Sequence, residues 1–155
     1  MVGTLQEKNK ALVLEGFEVL FNQRDYERAK RYWSPDYLQH SAHIPRGREG
    51  LFNLVKGLPT ETRYEPGVIL AEGDFVMAHG RYTRPDGPSL VVVDILRITG
   101  GIFQEHWDVI QGALPKRLAH VWRPLPCIAL SVLERPVIGA IGIADGGRTA
   151  LERQA

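Results

Sequence analysis

Cysteine is all but missing from this chain. Cys127 is the single example in 155 residues, which excludes an intrachain disulfide framework and any metal site built wholly from thiolates. An excess of charge of one sign is missing too. Lys and Arg number 19 against 18 Asp and Glu, a net charge of +1, so no electrostatic feature favours nucleic acid or an anionic membrane surface as partner. Long apolar runs are absent: the stretches 128–133 and 137–144 are separated by Glu134, Arg135 and Pro136, and each is too short to span a bilayer. The opening MVGTLQEKNK holds no apolar signal-peptide core. There is no phosphate-binding Walker loop and no nucleophile elbow, and Gly100-Gly101 lacks the strand–helix setting of a dinucleotide fingerprint. These absences lead to the expectation of a cytoplasmic protein with neither a membrane nor a nucleic-acid partner.

What is present fits an ordinary globular chain, with 44% apolar and 24% charged residues and enough length for one sizeable core. Thr4-Leu5-Gln6-Glu7 has the pattern of a capping box. Leu12, Val13, Gly16, Phe17, Leu20 and Phe21 then recur at three-to-four spacing, which predicts an amphipathic helix from about residue 5 to 22. Asp25 is placed to cap a shorter helix through Tyr26, Ala29, Tyr32 and Trp33, with Ser34-Pro35 as its stop. Residues 37–45 read as extended. A third helix runs through Leu51, Phe52, Leu54 and Val55, with Gly57 at its end.

From Thr62 the hydrophobic period changes from 3.6 to 2. Strands are predicted over 62–71 and 75–83, with a turn at Glu72-Gly73-Asp74, and Arg84–Ser89 is loop chemistry. Val91 to Gln111, VVVDILRITGGIFQEHWDVIQ, reads as two Val- and Ile-rich strands joined at Gly100-Gly101. Helices first and an antiparallel meander afterwards make an α+β pattern. Asp94 sits between Val93 and Ile95 in an apolar run, where a carboxylate must be paired, hydrogen-bonded, or kept neutral by a raised pKa. A two-residue turn sets Asp94 opposite Trp107, and a three-residue turn sets it opposite His106. A one-residue slip exchanges the faces, so both registers stay open. A symmetric Arg84–Ser89 loop sets His79 on the other flank of Asp94.

Three pieces of the first 111 residues carry a family resemblance: Tyr37-x-Gln39-His40 followed by Gly47-x-x-Gly50, Asp94-x-x-Arg97-Ile98, and Glu105-His106-Trp107-Asp108-Val109. In order and spacing they resemble the SnoaL-like polyketide cyclase branch of the nuclear transport factor 2-like superfamily, in particular its predicted aldol-condensation enzymes. The resemblance implies an α+β cone, with N-terminal helices packed on a curved antiparallel sheet around a conical pocket, and a homodimer. It also implies that Asp94 stands where the cyclases keep an acid/base aspartate, and where ketosteroid isomerases keep a neutral, hydrogen-bond-donating one. The isomerases' separate base is not matched, and the region of Gln39 and His40 offers an imidazole instead. The likeness ends at Gln111. Residues 112–155 form an atypical segment, expected to be loosely ordered. A shifted reading of the codons of 112–122 yields a family-like ending, so a frameshift is the expected origin and the coding DNA is its test.

The candidate chemistry follows. Asp94 is expected as general acid/base, since burial moves a carboxyl toward the neutral range where proton transfer works best. Its bland alternative is a structural carboxylate tied to a neighbouring strand, Arg81 or Arg97. His40 is the second catalytic candidate, able to orient an oxygen or exchange a proton near neutrality. His79, His106, Trp107 and Tyr37 are expected to bind substrate, with Glu105 and Asp108 facing solvent or making strand-end ion pairs. A metal site from His40, His43, His106 and Asp108 fails on spacing, because His40 and His43 point to opposite faces of an extended segment. The expected activity is therefore cofactor-free and metal-free: a cyclase, aldol-type or isomerase reaction on a small apolar carbonyl compound. A non-catalytic ligand-binding or dimerisation module is the alternative.

Overall fold

The structure is a computed structural model that describes residues 3–85 and 87–112. Apart from Gly112, the segment expected to be loosely ordered, 112–155, lies outside the described residues.

Helix α1 (Leu5–Phe17) starts where the capping box places it: Thr4 Oγ1 accepts from the Glu7 backbone N–H at 3.2 Å, and Glu7 Oε2 accepts from the Thr4 N–H at 2.8 Å. It continues as a π-helical stretch over Glu18–Gln23 and ends at Arg24, whose φ of 56° is left-handed. The Arg24 guanidinium then reaches across to the carbonyls of Val55 and Leu58, each at 3.2 Å. Those carbonyls lie at the end of helix α3 (Gly47–Gly57), where the helix itself runs out of donors; the Val55 carbonyl also accepts from the Leu58 N–H at 3.2 Å. Helix α2 is the single turn Tyr26–Ala29, capped by Asp25.

Trp33 does not extend that second helix. It opens strand β1 (Trp33–Gln39), and Ser34-Pro35 lies within the strand instead of stopping a helix. The tertiary partner decides this. The Phe103 N–H donates to the Tyr32 carbonyl at 2.7 Å, and Trp33 pairs with Phe103. β1 is the edge of the sheet, where proline leaves no ladder bond broken on its open side.

Strands β2 (Arg63–Glu72), β3 (Phe75–Thr83), β4 (Leu90–Thr99) and β5 (Ile102–Gln111) follow the predicted meander. Their order is β1-β5-β4-β3-β2, with β1 parallel to β5 and the other pairings antiparallel, so the sheet is mixed. Gly100 and Gly101 hold φ of 62° and 77°, as a two-residue hairpin turn of this hand requires.

Both predicted registers of Asp94 are corrected. The turn pairs Thr99 with Ile102 and Ile98 with Phe103, but Arg97 pairs with Glu105, so Gln104 is an extra, bulged residue. Beyond the bulge Asp94 faces Asp108, not Trp107 or His106. On the other flank Tyr82 pairs with Leu90, so Asp94 faces Ala78 and not His79. This register keeps one face buried throughout: Val76 and Ala78 on β3, Val92, Leu96 and Ile98 on β4, and Phe103 on β5. The helices cover that face. Trp33 is 4.8 Å from Phe103 edge-on and Phe17 is 5.1 Å from Tyr64 edge-on. Gly16 allows the close approach, because a Cβ there would lie 2.8 Å from the Phe103 ring.

Candidate active site

Between the helices and the inner face of the sheet lies a cavity of about 210 Å³. Its walls are mainly apolar: Phe17 and Phe21 from the first helix, Ile44 from the loop, Leu51 and Val55 from α3, and Val92 and Ile110 from the sheet. His43, Thr62, Tyr82 and Arg84 line it elsewhere, while Tyr37, Asp94, His106 and Asp108 reach it from β1, β4 and β5.

Their convergence follows from strand geometry. Asp94 holds an inward position on β4 between Val92 and Leu96, opposite the small Ala78. The Gln104 bulge turns His106 and Asp108 inward together with Phe103, although simple alternation would separate Phe103 from them. On β1 Gln39 pairs with His106 in parallel, and Tyr37 lies on the same face as Gln39.

Asp94 is 5% exposed and His106 also 5%. Their side chains meet at 2.9 Å, Asp94 Oδ1 to His106 Nε2. Asp94 Oδ2 is buried and has no hydrogen-bond partner among the described residues. Burial pushes the Asp94 carboxyl above its ordinary value, and the neighbouring Asp108 charge acts in the same direction, while the His106 contact opposes them. Burial likewise pushes the Tyr37 phenol up, assisted by the charges of Asp94 and Asp108, so its proton stays in place. Trp33 and Gln39 lie beside the Tyr37 hydroxyl and pull the other way. Neither Trp33 Nε1 nor Gln39 Nε2 makes a hydrogen bond of good geometry among the described residues.

Three of the expected site residues therefore come together: Asp94, His106 and Tyr37. Three others lie away from the cavity wall. His40 stacks flat on Trp107, ring centres 4.6 Å apart, and its Nε2 is 3.0 Å from Glu105 Oε2. Trp107 also approaches Phe75 at 6.2 Å. His79 shares the outer face of β3 with Phe75 and Met77, by strand alternation. Arg97 pairs with Glu105 and Arg81 with Glu65, so neither is the partner of Asp94. Contrary to expectation, Asp108 lines the cavity, whereas Glu105 makes the expected kind of ion pair, with Arg97 and His40. The signal for Asp108 was its spacing two residues after His106. Among the described residues, no three His, Cys, Asp or Glu side chains cluster as a metal-binding set.

The family profile described as SnoaL-like domain matches residues 13–106. No curated protein matches the chain. Among solved structures, a provisionally assigned ketosteroid isomerase from Kribbella flavida is similar at a TM-score of 0.62 and 20% identity, over 79% of this chain and 93% of that one. A provisionally assigned polyketide cyclase from Bacillus cereus is similar at 0.59 and 20%, over 67% and 74%. At these identities the likeness is one of fold. AclR, a provisionally assigned hydroxylase from Streptomyces galilaeus, is similar at 0.57 and 28%, over 68% and 90%.

Proposed function

The chain belongs to the SnoaL-like domain family, and on that premise we propose that it is a cofactor-free acid/base enzyme acting on a small, largely apolar carbonyl compound. The observation that carries this reading is the state of Asp94. Its carboxyl is buried on the wall of an apolar cavity, with one oxygen held by His106 and the other without a partner among the described residues. Burial holds a carboxyl in that setting above its ordinary value, which moves it in the direction that favours proton transfer.

The reaction would run as follows. The apolar walls take up the hydrocarbon part of the substrate, and the Tyr37 hydroxyl donates a hydrogen bond to its carbonyl oxygen. Asp94 Oδ2 removes a proton α to that carbonyl, and the C–H electron pair moves toward the oxygen to form an enolate. Tyr37 stabilises the developing charge, an interaction worth about 10²–10³ in rate for one well-placed donor. In an isomerisation, Asp94 returns the proton to another carbon of the enolate. In an aldol cyclisation, the enolate carbon attacks a second carbonyl of the same molecule, and the new alkoxide takes the proton from Asp94. Asp108 supplies a second carboxylate on the same wall, able to accept from a substrate hydroxyl. The cavity volume lies below the roughly 300–1,000 Å³ of drug-sized ligand sites, which favours a small substrate.

The proposed setting is a homodimer in the cytoplasm. Support for the dimer comes from the outer sheet face, where Leu70, Phe75, Met77 and Val109 are each more than 40% exposed. Such side chains grouped on one face suit a partner surface.

The test needs no knowledge of the natural substrate. A panel of small ketones and β-diketones is incubated with the full chain in D2O, and exchange at the α-carbon is followed by proton NMR. Accelerated exchange that falls about 10²–10⁴-fold in Asp94→Asn, the usual weight of a general acid/base, supports the reading. Exchange unchanged by Asp94→Asn removes Asp94 from the chemistry. Saturable binding of these probes without exchange would instead make the protein a ligand-binding module.

A further inference from the structure

The Asp94–His106 contact ends on a third side chain, Gln39, and that end fixes more than a distance. Gln39 Oε1 lies 2.9 Å from the Ser41 backbone nitrogen and 2.9 Å from His106 Nδ1. A backbone N–H can only donate, so the Gln39 atom facing it must be the oxygen. The opposite amide orientation would set an NH2 group against the Ser41 N–H, donor against donor. An amide oxygen can only accept. His106 Nδ1 must therefore carry a hydrogen, and it donates that hydrogen to Gln39.

This settles the other side of the ring. With Nδ1 protonated, a neutral His106 presents the Nε2 lone pair to Asp94 Oδ1, and the bond between them requires the proton to come from the Asp94 carboxyl. A cationic His106 presents an N–H to an ionised Asp94. In both descriptions the pair shares one proton and is neutral as a whole, and Asp94 Oδ2 keeps its lone pairs toward the cavity. We propose that Gln39, locked by the Ser41 N–H, is the positioning residue that holds His106 in its Nδ1–H form, so that Asp94 and His106 act as one neutral, proton-sharing unit. A proton arriving at Oδ2 can then be matched by transfer of the Oδ1 proton to Nε2, and the reverse shift returns it. No net charge builds up on the carboxyl during the relay, because the gained charge moves to the imidazole, whose Nδ1–H remains bound to Gln39.

The choice of an amide matters. Glutamate at 39 would accept the same hydrogen, but its negative charge would favour the imidazolium and an ionised Asp94. Glutamine fixes the tautomer without adding charge. Burial supports the arrangement: His106 and Asp94 are both nine-tenths or more out of contact with solvent, so water does not offer the ring a competing partner.

The inference rests on the acid/base reading for its use but not for its test. Long-range proton–nitrogen NMR of the 15N-labelled full chain reads the state of each His106 nitrogen without substrate. Expected in the unaltered protein is an N–H signature at Nδ1 over the range in which the ring is neutral. Gln39→Leu is expected to let the other tautomer appear, and to slow α-exchange about 10–100-fold, by analogy with a metal-bound histidine that loses its outer hydrogen-bond partner. Gln39→Glu is expected to shift both nitrogens to the imidazolium pattern. A bare Nδ1 in the unaltered protein overturns the inference, even if every variant fails to fold. An unchanged tautomer in folded Gln39→Leu overturns it as well. Loss of exchange in Asp94→Asn alongside either result leaves the acid/base reading intact, and retained exchange in Asp94→Asn with the expected tautomer removes only that reading.

Discussion

Asp94 and Asp108 occupy directly opposed positions on β4 and β5, and both side chains line the cavity. The Asp108 charge in that position disfavours the ionised form of Asp94, as a like charge across a strand pair does. The Asp108 charge is one of the causes that raise the Asp94 carboxyl, second in kind to burial.

Replacing Asp108 with Asn should therefore lower the Asp94 pKa while leaving the shape of the wall nearly intact. The sign is direct: removing a negative neighbour favours ionisation of Asp94. Carbon-13 NMR of labelled aspartate carboxyls against pH reads the effect. A rise of the Asp94 midpoint in Asp108→Asn would refute the coupling.

The same raised carboxyl makes stability depend on pH. Its folded-state pKa lies above the unfolded value of about 3.9, so the folded state holds the proton over a window in which the unfolded chain has lost it. The favourable contribution is complete below the unfolded pKa and is lost as pH rises toward the folded one. Asp94→Asn mimics the protonated form, because its amide N–H donates to His106 Nε2 as the carboxyl does. Urea unfolding should show this variant gaining on the unaltered protein as pH rises from about 4, by on the order of 1–3 kcal/mol, the scale of a buried polar group's desolvation. A stability difference that stays flat with pH would rule out a raised Asp94 in the folded state.

The outer face carries a separate expectation. Met77 is 43% exposed and shares that face with Phe75. A glutamate at 77 sets charge into the proposed dimer surface without touching the cavity wall. Sedimentation should then show a dimer for the unaltered chain and a monomer for Met77→Glu, with the fold retained by circular dichroism. A monomer in both cases argues against that surface.

Much of this was legible in the chain itself. The capping box at Thr4–Glu7, the 3.6-residue period that follows, the change to period 2 near Thr62, and the Gly-Gly turn are local signals, and local backbone chemistry decides them. The anomaly of Asp94 was legible too, because a charge in a run of Val and Ile stands out whatever its partners are. Past Ala29 the helical pattern does not decide the structure, since Trp33 carries its apolar side chain into either a helix face or a strand, and only pairing with Phe103 chooses the strand.

An imidazole beside Asp94 was legible as one of two alternatives, and His106 is its hydrogen-bond partner; the strand register that brings them together was not. One bulged residue, Gln104, moves every later side chain of β5 by one step, and alternation alone does not reveal which residue is extra. That step brings Asp108 and His106 to the cavity and leaves Trp107 stacked on His40 outside it. Sequence determined the elements other than β1, and which residue is chemically out of place, because those depend on neighbours within a turn or two. Tertiary structure alone decided what that residue faces, because strand register is set by the fit of whole faces against the helices.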